Sequence, residues 1–489
     1  MFKKLLITIF VLFVAIPSFS QDFLGYNYSN FQTAGGMVFN PASIAGSYYK
    51  VNVNILSINV GAINNAYEFK KNKLFDDMIE GEDFLKNNSS GSKNLFMNVD
   101  ILGPSFMIEL GHKIGSVGFT SRIRVLASEK NLDNGIFQLL GDSNFDFFGK
   151  RFTQNDLMLD IHGFADYGLT YARTVWANNK HVLKGGATVK YVMGLAGGSF
   201  RADNLNVQID LNEIIDDEKI GDLQGNVTLL YSDAIDIAFG DDSDFSDIWD
   251  AASSSSGFGF DVGMEYEWYR DGKYQPVIEN TSIWKSNILT PYTLKASLSI
   301  TDIGSVKYNP SENAASYSVH MSGVPTTELN MEEDDLNDYI NRLRSEGYIN
   351  EMEVKGKYSL SLPTQLRFNI DWKAYKGLFV NAGTTMNLLS KSRYGGRYAN
   401  YYYITPRYEN RWMTVYSPLS INSLNQFHWG FGVNLGMFFI GSGSIISNLF
   451  NSRFKAVDVH FGFSVPIRQK AKNIESFVSP TGDEDIIIK

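Results

Sequence analysis

The sequence predicts an all-β fold: a transmembrane antiparallel β-barrel with an N-terminal plug segment and long extracellular loops. Fourteen strands are expected, with twelve as the alternative. Three observations predict it. The first is alternation. Between residues 360 and 374, Leu360, Leu362, Thr364, Leu366, Phe368, Ile370, Trp372 and Ala374 are apolar or nearly so, while Gln365, Arg367, Asn369, Asp371 and Lys373 lie between them. A period of two makes a strand with two unlike faces, and this one is long enough to cross a bilayer at a tilt. The second is export without membrane helices. Lys3, Lys4, the apolar run Leu5–Ile16 and the Ser18-Phe19-Ser20 site read as a signal peptide over 1–20, and no later run approaches the ~18 apolar residues of a spanning helix. The third is that the connections sort by parity, with short turns after descending strands and long loops after rising ones.

The elements follow in order. Residues 21–50 do not alternate, yet they carry Phe31, Met37, Val38, Phe39 and Ile44. That apolar content argues for a plug folded back into the barrel rather than a disordered arm. The barrel is expected over 51–467, with strands at 51–60, 104–112, 115–126, 163–175, 181–193, 203–211, 225–238, 257–268, 292–301, 359–374, 377–389, 404–416, 427–440 and 455–467. Counting or omitting 203–211 and 225–238 gives the two totals, both even, as closed bacterial barrels require. Both termini then lie in the periplasm, and 468–489 is a periplasmic tail. The turns near 112–115, 176–180 and 375–377 follow descending strands; the long segments 61–103, 127–162 and 302–358 follow rising ones; 269–291 breaks the rule. Trp176, Trp268 and Trp372 close descending strands and Trp429 opens a rising one, which predicts a periplasmic aromatic girdle. Segment 328–349 has an acidic start, Glu332-Glu333-Asp334-Asp335, and Leu336, Tyr339, Ile340 and Leu343 at helical spacing. It predicts an amphipathic helix over the extracellular mouth.

Composition excludes several functions. There is no cysteine, hence no disulfide, thiol chemistry or lipidated N-terminal cysteine. A net charge of −10 disfavours nucleic acid. The acidic loop Asp241, Asp242, Asp244, Asp247, Asp250 lacks the glycine and closing glutamate of an EF-hand. The six histidines show no metal-ligand spacing, and His428 and His460 fall on polar strand faces as lumen residues. Gly141-Asp142-Ser143 has no assignable His partner. No enzyme activity, cofactor or metal is expected. The polar faces carry Glu109, Arg122, Arg124, Lys190, Asp261, Glu265, Lys295, Arg367, Asp371, Lys373, Arg407, Glu409, Arg411 and Asp458. A strongly ion-selective pore presents rings of one sign; mixed signs predict a lumen closed by salt bridges or packed against a plug.

Asn40-Pro41-Ala42 resembles the Asn-Pro-Ala motif of the long-chain fatty-acid transporter superfamily. That resemblance implies an N-terminal hatch in a fourteen-stranded barrel, with Gly35, Gly36, Asn40, Pro41 and Ala42 forming it. Thr405-Pro406-Arg407-Tyr408-Glu409-Asn410-Arg411-Trp412, Ser417-Pro418-Leu419-Ser420-Ile421-Asn422, Gly430–Gly436 and Gly441-Ser442-Gly443 resemble an uncharacterised family of Bacteroidetes outer-membrane barrels. Thr301-Asp302-Ile303-Gly304 and Leu362-Pro363-Thr364-Gln365 fit it too. Some relatives of that family carry a peptidoglycan-binding domain after the barrel, for which the tail here is too short. The resemblance implies passive transport of small hydrophobic molecules through the outer membrane. The alternative it implies is a structural or assembly partner of secretion or surface-protein machinery. Expected partners are outer-membrane lipid and lipopolysaccharide, a hydrophobic ligand touched by Tyr398 and Tyr401–Tyr403, and a protein at the extracellular loops.

Overall fold

A computed structural model describes residues 25–468 apart from 27, 32–33, 48, 72–83, 88, 112–113, 140–149, 213–216, 236–254, 272–273, 275–291, 326–335, 355 and 411. The signal peptide, the acidic loop at 241–250, Gly141–Ser143, Glu332–Asp335, Arg411 and the tail beyond Arg468 lie outside the described residues.

Fourteen strands close a single antiparallel barrel. They are β1 (Tyr49–Asn64), β2 (Lys93–Leu102 and Ser105–Gly111), β3 (Gly115–Leu132), β4 (Leu157–Ala177), β5 (His181–Asn212), β6 (Ser256–Trp268), β7 (Leu294–Tyr308), β8 (Tyr358–Ser361 and Gln365–Tyr375), β9 (Leu378–Asn387), β10 (Tyr401–Glu409), β11 (Met413–Tyr416 and Leu419–Asn422), β12 (Phe427–Trp429 and Phe431–Leu435), β13 (Phe438–Ser442) and β14 (Ala456–Arg468). β14 returns to β1, from Val51↔Ile467 to Ile63↔Ala456, so no edge is left open.

The expected total of fourteen holds, but four of the expected strands are corrected. Residues 203–211 are the upper part of β5, which runs on for 32 residues in all. Segment 225–238 overlaps Asp217–Tyr231, which pairs with that upper part and with Ala315–Met321, outside the wall. The wall itself passes from β5 to β6, through Tyr191↔Phe258. In exchange, 404–416 and 427–440 each contain two strands. Asn410 turns the first: its side chain accepts from the amides of Trp412, at 2.8 Å, and Met413, at 3.0 Å. Gly436, at φ 66°, turns the second in the left-handed region glycine tolerates. Both hairpin turns are so short that apolar alternation runs through them. Phe439, expected beside Phe427 and Phe431, faces inward instead and is buried.

The outward positions form an apolar belt that includes Leu169, Tyr191, Phe258, Met264, Phe368, Ile370, Ile404, Phe427, Phe431 and Phe461, all exposed. Water would not sustain such a continuous surface; acyl chains would. Trp176, Trp268 and Trp372 lie at the end with the short turns. Trp429 does not: it opens a descending strand, next to the β11–β12 loop at the opposite end. The cause is the hairpin hidden in 404–416, which reverses the direction of every strand between it and the second hidden hairpin. Trp412, in the β10–β11 turn, stands at the short-turn end instead.

Wall height is uneven. β3, β4 and β5 have 18, 21 and 32 residues, whereas β10 has 9 and β13 has 5. Above the tall side, Asp217–Tyr231, Ala315–Met321 and Ile349–Val354 form a cap with the helix α1 (Leu336–Ser345). At its C-terminal side the expected helix over 328–349 stops at Ser345; residues 328–335 lie outside the described residues. Tyr339, Ile340 and Leu343 of α1 pack on Tyr231, Tyr317 and Ile349, and burial pushes the Tyr339 phenol up to about 12.

Candidate functional site: a lumen filled in three layers

The lowest layer, at the short-turn end, is the N-terminal segment. It forms two 3-10 turns, Ala34–Val38 and Pro41–Ile44, and Gly35, Gly36, Asn40, Pro41 and Ala42 are all buried within the barrel. Asn40 explains the local shape. Its Oδ1 accepts from the Ala42 amide at 2.9 Å, capping the second turn, and Pro41 starts that turn where no amide is needed. Asn40 Nδ2 donates to the Met264 carbonyl of β6 at 3.2 Å. Wall side chains hold the rest. Ser299 Oγ donates to Phe39 O at 2.7 Å, Ser116 Oγ to Ile44 O at 2.6 Å, and Asn52 Oδ1 accepts from the Ala34 amide at 2.7 Å.

Three wall glycines make the seat. A Cβ on Gly186 would come within 2.6 Å of the Ala42 nitrogen; one on Gly263 would strike Asn40 Oδ1, and one on Gly118 the Met37 sulfur. The sequence offered this only indirectly, as glycines on polar faces with no visible partner. On the opposite side Asn30 reaches Glu409, whose Oε1 accepts from its amide at 3.1 Å and Oε2 from its Nδ2 at 2.8 Å. The Arg367 guanidinium lies 4.9 Å from the centre of the Phe39 ring. A cavity with room for roughly one water lies between Phe39, Asn40, Glu265, Lys295 and Arg367.

The second layer is ionic. Arg122, Arg124, Asp261, Glu265, Arg367, Asp371, Arg407 and Glu409 are buried inside the barrel, on the face the sequence assigned them. Arg124 binds Asp166 at 2.8 Å and Asp302 at 2.7 Å; Lys190 binds Asp302 at 2.7 Å and Asp261 at 2.8 Å. Arg122 pairs with Asp100. A second cluster joins Arg407 to both Asp371 oxygens at 2.6 Å and to Glu409 at 2.8 Å, with the Tyr292 hydroxyl donating to Asp371. Within these pairs and clusters the opposite signs satisfy one another, as buried charges must. Lys373 is only partly buried and stands apart from both clusters.

Asp302 is the member that sequence reasoning missed as a lumen charge. It sits at φ 60° in a β-bulge, where Thr301 and Asp302 both turn inward opposite Asp261. The bulge shifts the phase of β7: Leu298 faces out below it, while Val306 and Tyr308 face in above it. β8 breaks at the same height. Leu360 and Leu362 are wholly buried in the lumen, whereas Phe368, Ile370 and Trp372 face out. The long alternation from Leu360 is therefore two segments of β8 with opposite phase. Leu362 N donates to Gly304 O at 3.0 Å and Thr364 Oγ1 to Asp302 O at 2.8 Å, so the two short motifs lock one switch.

That switch builds the third layer. Leu126, Phe164, Val192, Val306, Tyr308, Tyr358, Leu360, Leu362 and Tyr398 form one apolar cluster inside the barrel, on which Leu230 of the cap packs. Tyr358 donates to the Gly197 carbonyl at 2.6 Å and Tyr308 to that of Gly163 at 3.2 Å. Tyr398 comes from the β9–β10 loop, which folds inward because Arg397 pairs with Asp160 of β4 at 2.5 Å. Tyr401 and Tyr403 are buried in another cluster beside Tyr28, and Tyr402 faces outward.

Among solved structures, the chain is similar to the toluene transporter TbuX of Ralstonia pickettii, at 10% identity and a TM-score of 0.39, covering 89% of this chain and 94% of that one. It is also similar to a Pseudomonas aeruginosa FadL homologue, at 9% identity and 0.39, covering 92% and 97%. For the Pseudomonas putida toluene transporter TodX the values are 11% and 0.36, covering 90% and 94%. No curated protein matches the chain. The model of a family of unknown function, DUF5723, matches residues 41–443, from the proline of the hatch turn to the glycine after β13, and the chain belongs to that family.

Proposed function

We propose that the protein is an outer-membrane barrel that passes small hydrophobic molecules, with its long loops outside the cell and both termini in the periplasm. The observation that carries this reading is the apolar layer in the lumen. Inward positions of a water-filled pore are polar, whereas here Leu126, Val192, Val306, Leu360 and Leu362 point inward. A hydrophobic cargo entering that layer exchanges one apolar contact for another. A sugar or ion would lose its hydration there without replacement, at a cost of several kcal/mol. The N-terminal segment below is held by hydrogen bonds and close packing, and its displacement would open the path to the periplasm. Outer-membrane lipid and lipopolysaccharide cover the exposed belt.

The test is entry of a hydrophobic naphthylamine dye into intact cells with and without the protein. Entry severalfold faster with the protein supports the reading; equal rates at matched expression sink it. A second reading, a structural partner of an outer-membrane assembly, is favoured by the folded cap around α1, which is more structure than a solute entrance needs. Recovery of one stoichiometric protein bound through α1 would favour that reading.

A further inference from the structure

The helix α2 (Ile445–Phe450), which follows β13, has its polarity inverted for a surface loop. Its polar residues face the barrel. Ser447 Oγ accepts from the Trp429 amide at 2.6 Å, and Asn448 Nδ2 donates to Ala456 O at 3.0 Å. Its apolar residues face away. Ile445 and Leu449, four apart on one side, are 40% and 58% exposed, and Phe450 at 82% is the most exposed large hydrophobic residue among those described.

We infer that α2 is a lipid anchor, seated among the acyl chains of the leaflet at the long-loop end. Two observations name lipid as the occupant. The helix continues the belt: Trp429, whose amide it holds, and Phe427 and Phe431 on the same strand all face outward and are exposed. The wall beside it is also low. Five residues of β13 rise about 17 Å, short of the ~25 Å apolar band of such barrels. α2 supplies apolar surface where that strand ends.

The inference rests on the membrane reading above, and its test separates the two. The chain has no native cysteine, so single variants Leu449→Cys and Phe450→Cys, each carrying an environment-sensitive fluorophore, are placed in phosphatidylcholine nanodiscs. Leu169→Cys on the outer wall and Ser392→Cys in an exposed loop are the references. Resistance to unfolding in dodecyl sulfate confirms that each variant is folded. The expected result is that labels at 449, 450 and 169 are quenched by brominated lipid and severalfold less by iodide than the label at 392. Iodide quenching at 449 and 450 equal to that at 392, with 169 in lipid, overturns the anchor alone. If 169 is also open to iodide, the membrane reading falls with it. Protection at 449 and 450 in native membranes but not in nanodiscs would mean that a protein covers the helix, and would also overturn the inference.

Discussion

The tall wall, β3 to β6, and the short wall, β10 to β13, hold the hatch by different physics. The tall wall is a scaffold closed on itself. Arg124, Asp166, Lys190 and Asp261 belong to it, their ion pairs run between strands and to Asp302, and the hatch meets it through the glycines Gly118, Gly186 and Gly263. The short wall spends one of its charges on the hatch, since Glu409 binds both Arg407 and Asn30. Its rings pack on the segment too: Tyr26 stacks on Phe439 at 3.9 Å and Tyr28 on Tyr403 at 5.5 Å. The N-terminal segment thus meets the tall wall through close glycine contacts and two neutral hydrogen bonds, to Ser116 and to the Met264 carbonyl, and the short wall through a carboxylate and aromatic rings.

The largest effect is expected at Arg124. Replacing it by Met leaves Asp166 and Asp302 with Lys190 as their remaining cation, and a loss of ~3–5 kcal/mol is expected, read from the denaturant midpoint in micelles. A loss under 1 kcal/mol would mean the tall wall is not held by this cluster. Next, Leu360→Ala opens a cavity in the apolar layer and should cost about 2–5 kcal/mol; an unchanged midpoint would show that the layer is loosely packed. Glu409→Gln should cost ~1–3 kcal/mol, because Asp371 still pairs with Arg407. Its sharper reading is local: proteolysis should accelerate at 25–33 and not at 40–45. Smallest is Asn40→Ala, about 1 kcal/mol for a lost cap, with cleavage accelerating at 40–45. Gly263→Val should produce that same cleavage pattern more strongly; if it leaves 40–45 protected, the glycine seat is misassigned.

Much of this was legible in the sequence, and the failures share a cause. Alternation reports a face, not a direction: Arg122, Arg124, Arg367, Asp371 and Arg407 share the polar face and are buried, and Phe39 and Ile44, ahead of the first strand, are buried as well. Alternation does not report where a strand ends. Asn410 and Gly436 make turns too short to interrupt it, so two hairpins read as single strands and Trp429 was set at the wrong end. Nor does it show a bulge. Asp302 in β7 and the Leu362–Thr364 break in β8 each reverse the phase, so Leu360 and Leu362 were set on the same face as Leu366 to Trp372, and Val306 and Tyr308 in a loop. The upper part of β5 read as a separate strand because its partner changes from β6 to Asp217–Tyr231 part-way along, a change that leaves no mark in a single strand's pattern.

In the proposed function the apolar layer receives a hydrophobic molecule. Native mass spectrometry of the protein extracted gently from its own membrane tests this most directly, with Leu360→Asn beside the wild type. A reproducible small adduct is expected on the wild-type barrel and is lost from the variant while the barrel stays folded. A bare barrel, or a stoichiometric protein partner in place of any small adduct, would contradict it.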